Sequence, residues 1–237
     1  GDLVGLKEER SHRRSEIISL FEKYKSKRIG RIQTSKGCVA KCTFCQRATK
    51  GYRSFKAETL EERVIELKKK YDVAVLRVDD ENFGSDRKKS YECAKVFKKH
   101  DIYWFAEGAR ASSITYDDLK FYKENNMLAI RYGIETGSSK MLQIMEKKIT
   151  KEQVYNNISN CGKLGVSTAV EVMMVGMPGE TRETVIETAE YAASLRYLVG
   201  NDWNTDYPVW AAAIPGTPLY EYSQQIGVIG KTLEEEE

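Results

Sequence analysis

Three cysteines fall within eight residues of one segment, Gly37-Cys38-Val39-Ala40-Lys41-Cys42-Thr43-Phe44-Cys45. Thiolates at this spacing can converge on a single metal centre, and their number bears on its chemistry. A closed structural zinc site takes four ligands, and a four-iron electron-transfer cluster usually takes four cysteines. A cluster held by three leaves one iron open to a substrate or cofactor. Zinc or a passive electron-transfer site remains the alternative. Zinc wants a fourth ligand, and neither Cys93 nor Cys161 stands in a pattern that offers one.

The elements that must hold this loop alternate. Segments at 28–34, 73–78, 102–106, 127–134, 166–175 and 208–214 read as strands. Between them lie helical patterns at 57–70, 86–99, 116–125 and 181–195, and a helix running from Thr150 to a stop at Gly165, with a short helical turn at 139–145. Leu60, Val64 and Leu67 share one face of the first helix, and Val154, Ile158 and Cys161 share one face of the helix from Thr150. Thr150 and Gln153 form a capping box there. Strands alternating with helices of this length imply parallel βαβ units. Six such units predict an α/β fold, an open partial TIM barrel (β/α)6 with parallel strands.

Polar and glycine-bearing segments then follow every strand. The cysteine run follows the first, Asp79-Asp80-Glu81-Asn82 the second and Gly108-Ala109-Arg110 the third. Glu135-Thr136-Gly137-Ser138 follows the fourth, Gly176-Met177-Pro178-Gly179-Glu180 the fifth and Pro215-Gly216-Thr217-Pro218 the sixth. In parallel barrels the active site lies at the C-terminal ends of the strands. All six ends therefore converge on the rim that carries the thiols.

Composition narrows the partners. Against 35 Asp and Glu stand 38 Lys and Arg, a net charge of only +3, and no basic stripe interleaved with aromatics appears. Nucleic acid is not the expected partner. The runs Lys68-Lys69-Lys70 and Lys147-Lys148 read as solvated surface. No apolar stretch approaches the ~20 residues needed to cross a bilayer. Five cysteines, three of them clustered, do not resemble a secreted disulfide framework, so a reducing cytoplasm is the expected compartment. Residues 1–26 read as a charged helical leader carrying Ile17, Ile18, Leu20 and Phe21, residues 27–222 as the core domain and residues 223–237 as a C-terminal tail. A start at Gly1 and a run of four terminal glutamates suit a fragment of a longer protein.

The Cys38-x-x-x-Cys42-x-x-Cys45 loop, with Phe44 before its last cysteine, resembles the signature of radical S-adenosylmethionine (SAM) enzymes. The segments 78–83, 132–138, 174–181 and 214–220 are similar to those of the branch often joined to a cobalamin-binding domain. The resemblance spans about residues 29–222. No cobalamin domain precedes the core here, and His12 and His100 sit in no cobalamin-ligand context. Cobalamin is thus implied only if a further domain supplies it.

This resemblance implies a [4Fe-4S] cluster on Cys38, Cys42 and Cys45, with SAM chelating the open iron. Reductive cleavage would give a 5′-deoxyadenosyl radical that abstracts hydrogen from a small-molecule substrate, fed by a flavodoxin or ferredoxin-type donor. Phe44 would contact the adenine, or serve as a core aromatic. Asp80 and Glu81 would accept from the methionine amino group, or one of them would cap a helix. Arg110 would pair with the SAM carboxylate, with a substrate anion or in a rim salt bridge. Glu135 would contact SAM, with Ser138 and Thr136 as weaker partners. Val175, Gly176, Pro178 and Gly179 would bring backbone close to the adenine. Cys93 and Cys161 read as packing residues, and Trp203, Tyr207 and Trp210 as barrel core in preference to a substrate pocket. A non-catalytic iron–sulfur protein is the alternative in kind.

Overall fold

The computed structural model describes residues 19, 23, 24, 26–46, 51–168, 173–199, 208–230 and 232. In chain order the first elements are β1 (Arg28–Ile32), β2 (Ser35–Lys36), β3 (Arg53–Ser54), α1 (Ala57–Tyr71), β4 (Val73–Val78), α2 (Arg87–Lys99), β5 (Tyr103–Ala109) and α3 (Tyr116–Glu124). There follow β6 (Met127–Tyr132), α4 (Ser139–Ile144), α5 (Lys151–Leu164), β7 (Met174–Val175), α6 (Arg182–Val199), β8 (Val209–Trp210) and α7 (Pro218–Gln225).

Strands β1, β4, β5 and β6 lie side by side in that order, all parallel. Parallel bridges Ala129↔Ser167 and Glu135↔Met173 stand next to β6, Met173 leads into β7, and β7 pairs in parallel with β8. Six parallel segments thus run in succession. Among the described residues no ladder joins β8 back to β1. The expected open α/β barrel is borne out.

Alternation along the strands sorts the two faces of the sheet. Leu76, Val78, Trp104, Ala106, Ile130 and Tyr132 are buried in one core with Val64, Phe97, Leu119 and Ile158 of the helices. Each large apolar side chain so buried stabilises by about 1.5–3 kcal/mol. Trp104 meets the rings of Phe83, Phe97 and Tyr122 at centroid distances of 5.4–5.7 Å, and its indole N–H donates to the Asn125 carbonyl at 2.7 Å. The alternate positions carry charge instead. Arg31 and Arg77 both meet Asp79 at 2.5 Å, and Glu107 takes Arg77 at 3.0 Å and Arg131 at 3.4 Å.

Helix boundaries follow their caps. Thr150 and Gln153 form the expected capping box at α5, and Gly165 closes that helix in the left-handed conformation. Other expectations shift. Residues 169–172 of the expected fifth strand lie outside the described residues, and the sixth shrinks to Val209–Trp210. The β2–β3 hairpin was not expected, and neither was α7, although Thr217 accepting from the Tyr220 amide and Pro218 in the first turn mark its start. The tail expected from 223 therefore begins inside a helix. Trp210 is corrected from core to surface, since it is 80% exposed. Trp203, Tyr207, His12 and most of the leader lie outside the described residues.

Candidate active site

Local bonds fix the cysteine loop to three different elements. Gly37 turns the chain with φ +82°, a region glycine enters without penalty. The Thr43 amide and hydroxyl then donate to the carbonyls of Met145 and Ile144, at 3.0 and 3.2 Å, just past α4. The Thr43 carbonyl accepts the Leu219 amide of α7 at 3.0 Å, and the Gln46 side chain donates to the Pro215 carbonyl at 3.2 Å. Phe44 packs on the cluster of Met141, Met145, Met174, Met177 and Leu219. The loop after the first strand is thereby tied to the ends of the fourth and sixth.

A cavity of about 220 Å³ opens beside it. Cys38, Cys42, Phe44 and Cys45 line one side; Glu81, Gly108, Arg110, Gly133, Glu135 and Lys147 line the others. Seven of the residues singled out from sequence thus share one cavity: the three cysteines, Phe44, Glu81, Arg110 and Glu135. Lys147 corrects the reading of the Lys147-Lys148 run as solvated surface, for it is only 6% exposed. Its ammonium lies 2.6 Å from Glu135 Oε1 and 5.8 Å from the Phe44 ring centre. Met145, Lys147 and Ile149 are buried while Glu146 and Lys148 between them are exposed.

Backbone geometry makes room for this pair. Glu135 itself adopts φ +66°, unusual for a residue with a side chain, and its carbonyl accepts the Met174 amide at 2.7 Å. A Cβ at Gly133 would stand 2.7 Å from Glu135 Oε1 and 2.9 Å from Lys147 Nζ, so a side chain there would push the ion pair aside. Arg110 bridges the pair to the thiols. One guanidinium nitrogen donates to the Lys147 carbonyl and another lies 3.5 Å from Cys42 Sγ.

The thiols share an electrostatic neighbourhood. Cys42 is buried, Cys38 half-buried and Cys45 exposed at the rim. Partial burial of its sulfur pushes the Cys45 thiol up, the neighbouring Cys42 and Cys38 sulfurs add to this, and Lys147 opposes it. Among the described residues no three ligating side chains stand close enough to hold a metal ion as placed.

Seven expected contacts lie outside the cavity wall: Asp80, Thr136, Ser138, Val175, Gly176, Pro178 and Gly179. The Asp80 carboxylate is taken up by Thr34 and Ser35. Burial raises its carboxyl, and those hydrogen bonds only partly oppose the rise. Ser138 is fully buried at the start of α4, with its amide on Thr136 Oγ1 at 3.1 Å. Val175, Gly176 and Pro178 follow or end β7, where the Gly176 amide donates to Glu180 Oε2 at 2.6 Å. Cys93 and Cys161 are buried in the main core, and burial pushes the Cys93 thiol up to about 12.

Residues 32–192 match the profile of the family described as the Radical SAM superfamily, which is more than half of the chain. The chain belongs to the radical SAM superfamily. An uncharacterized methyltransferase of Pyrococcus horikoshii is 29% identical over 213 residues, covering 86% of this chain and 44% of that protein. Cytidylyl-2-hydroxyethylphosphonate methyltransferase of Streptomyces wedmorensis is 24% identical over 70% of this chain and 33% of its own length. Among solved structures, the radical SAM methyltransferase TsrM of Kitasatospora setae, with cobalamin and a [4Fe-4S] cluster bound, superposes with TM-score 0.71 at 16% identity, covering 90% of this chain and 40% of that one. The cobalamin-dependent radical SAM enzyme OxsB, with aqua-cobalamin bound, gives 0.69 at 16% identity over 87% and 37%. These two likenesses concern the fold. The chain spans less than half the length of each of these relatives.

Radical SAM membership implies an enzyme with a [4Fe-4S] cluster and SAM, and the donor set fits both. Three thiols, one facing a guanidinium, suit an anionic cluster; a buried carboxylate and ammonium side by side suit a zwitterion. No described helix is long and apolar enough to cross a membrane.

Proposed function

We propose that this chain is the catalytic core of a radical SAM enzyme in which Cys38, Cys42 and Cys45 hold the cluster and Glu135 and Lys147 receive SAM. One observation carries the reading: the three thiols and the buried Glu135–Lys147 pair line the same cavity. When bound, the cluster supplies the electron that breaks the SAM sulfonium bond, giving methionine and a 5′-deoxyadenosyl radical that abstracts a substrate hydrogen.

The chain's own groups bind and orient. The Lys147 ammonium suits the SAM carboxylate, while Glu135 and Glu81 suit its amino group. Arg110, on Cys42 Sγ, offsets the charge of a thiolate ligand. Phe44 presents an apolar face for the adenine and keeps water from the thiols. A non-catalytic iron–sulfur role is not favoured, because an ion pair faces the three thiols where a fourth thiol would be wanted.

Methyl transfer in the cobalamin-associated branch is the reaction class that the relatives support, with cobalamin supplied from outside the residues described. A small-molecule substrate, a flavodoxin or ferredoxin-type donor and a cytoplasmic setting complete the reading; all five cysteines carry free thiols. Equilibrium binding tests the site. Glu135→Gln/Lys147→Met together should weaken SAM binding by about tenfold or more, as loss of a charge-assisted contact does, with iron content unchanged. Wild-type affinity in that variant would remove the assignment.

A further inference from the structure

Asp80 makes contacts that a SAM ligand would have no need of. It is 5% exposed, at the end of β4. One carboxylate oxygen accepts the Thr34 and Ser35 amides at 2.7 and 3.1 Å; the other accepts their hydroxyls at 2.6 and 2.7 Å. A carboxylate offers about four acceptor sites, so these donors use it fully. Thr34 and Ser35 form the exit of β1, three residues before Cys38.

The clamp has a rigid back and a second point. A Cβ at Gly108 would stand 2.2 Å from the Asp80 carbonyl oxygen, so β5 presses directly on the backbone that carries the carboxylate. Glu81, pointing the other way, accepts the Gly37 amide at 3.2 Å, immediately before Cys38. Consecutive carboxylates thus hold residues 34, 35 and 37, the last of them adjacent to Cys38.

We infer that Asp80 is a positioning residue that sets where Cys38 stands, acting through the Thr34–Ser35 exit of β1 and not through contact with SAM. This rests on the reading of Cys38 as a cluster ligand. Asp118 supplies the control, a buried carboxylate that accepts from Thr115, Tyr91 and Arg87 at 2.6–2.8 Å with no link to the cysteine loop.

The test compares Asp80→Asn with Asp118→Asn in the full chain. In iron-free, reduced protein, the rate of iodoacetamide labelling at Cys38 is followed by peptide mass spectrometry, with buried Cys161 as the internal reference. Asp80→Asn should raise Cys38 labelling about fivefold or more, the opening expected from losing a net hydrogen bond, and should lower iron bound after reconstitution. Asp118→Asn should change neither. Wild-type labelling and iron binding in Asp80→Asn, whatever its melting temperature, would overturn the inference. Should that variant not fold, Thr34→Val/Ser35→Ala removes both hydroxyl donors and carries the same two expectations. If wild-type protein bound no cluster, the ligand assignment would fail, while the labelling comparison would still report what Asp80 holds.

Discussion

Lys147 Nζ stands 2.6 Å from Glu135 Oε1 with both side chains more than nine-tenths buried, so the cavity wall carries a buried ion pair. Removing one partner leaves the other charge buried and unpaired. Lys147→Met alone should cost about 3–5 kcal/mol. Adding Glu135→Gln should recover most of that loss, since the double variant buries no unpaired charge. Urea denaturation of the single and double variants reads the difference. Equal losses in both would mean that the pair is not buried as described.

Gly108 and Gly51 both have positive φ, at +70° and +78°, but only Gly108 is blocked. Its Cβ would meet the Asp80 carbonyl oxygen at 2.2 Å, whereas a Cβ at Gly51 meets nothing within 4 Å. Gly51→Ala should cost about 1 kcal/mol, the conformational penalty alone. Gly108→Ala should cost about 2 kcal/mol more, because backbone must shift to admit the methyl. Chemical denaturation of the two variants checks this ordering.

Cysteines in the loop and in the core should respond differently. Cys42→Ala removes a lining thiol and should abolish cluster absorbance after reconstitution. Cys161, fully buried against α5's neighbours, should tolerate alanine with about 1 kcal/mol lost and the cluster intact. Loss of the cluster in Cys161→Ala would contradict its packing role.

Asp118 sets a pH dependence. Burial alone would raise its carboxyl, but hydrogen bonds from Thr115 and Tyr91 and the Arg87 guanidinium hold it below the usual carboxylate range. A folded value below the unfolded one stabilises fully above the unfolded pKa, near 3.9. That contribution is lost as pH falls through the lower folded value. The stability gap between wild type and Asp118→Asn should therefore hold constant from pH 7 to about 5 and close below the unfolded pKa. Denaturation series across that range would show it; a gap that widened toward acid would reverse the sign.

The barrel was legible because its signals are local. Val73–Val78 is apolar at every position but Arg77, and Thr150 with Gln153 marks a helix start through bonds between neighbours. Thiol spacing and the polar strand ends located the rim for the same reason. Of Asp80 and Glu81, only Glu81 lines the cavity, and sequence does not say which of two neighbouring carboxylates past a strand end faces it. Lys147 was missed because a lysine beside another lysine looks solvated until its carboxylate partner, twelve residues earlier, is seen folded against it. The short β2–β3 ladder has only two residues per strand, too few for an alternation to register.

Cleavage of SAM tests the central claim most directly. The chain is reconstituted anaerobically with iron and sulfide, reduced with dithionite, and given SAM, and the products are resolved by liquid chromatography and mass spectrometry. The account predicts a SAM cleavage product, 5′-deoxyadenosine above all, formed by wild type and absent in Cys42→Ala. A fully loaded cluster that yields no SAM cleavage product under any reductant would contradict it.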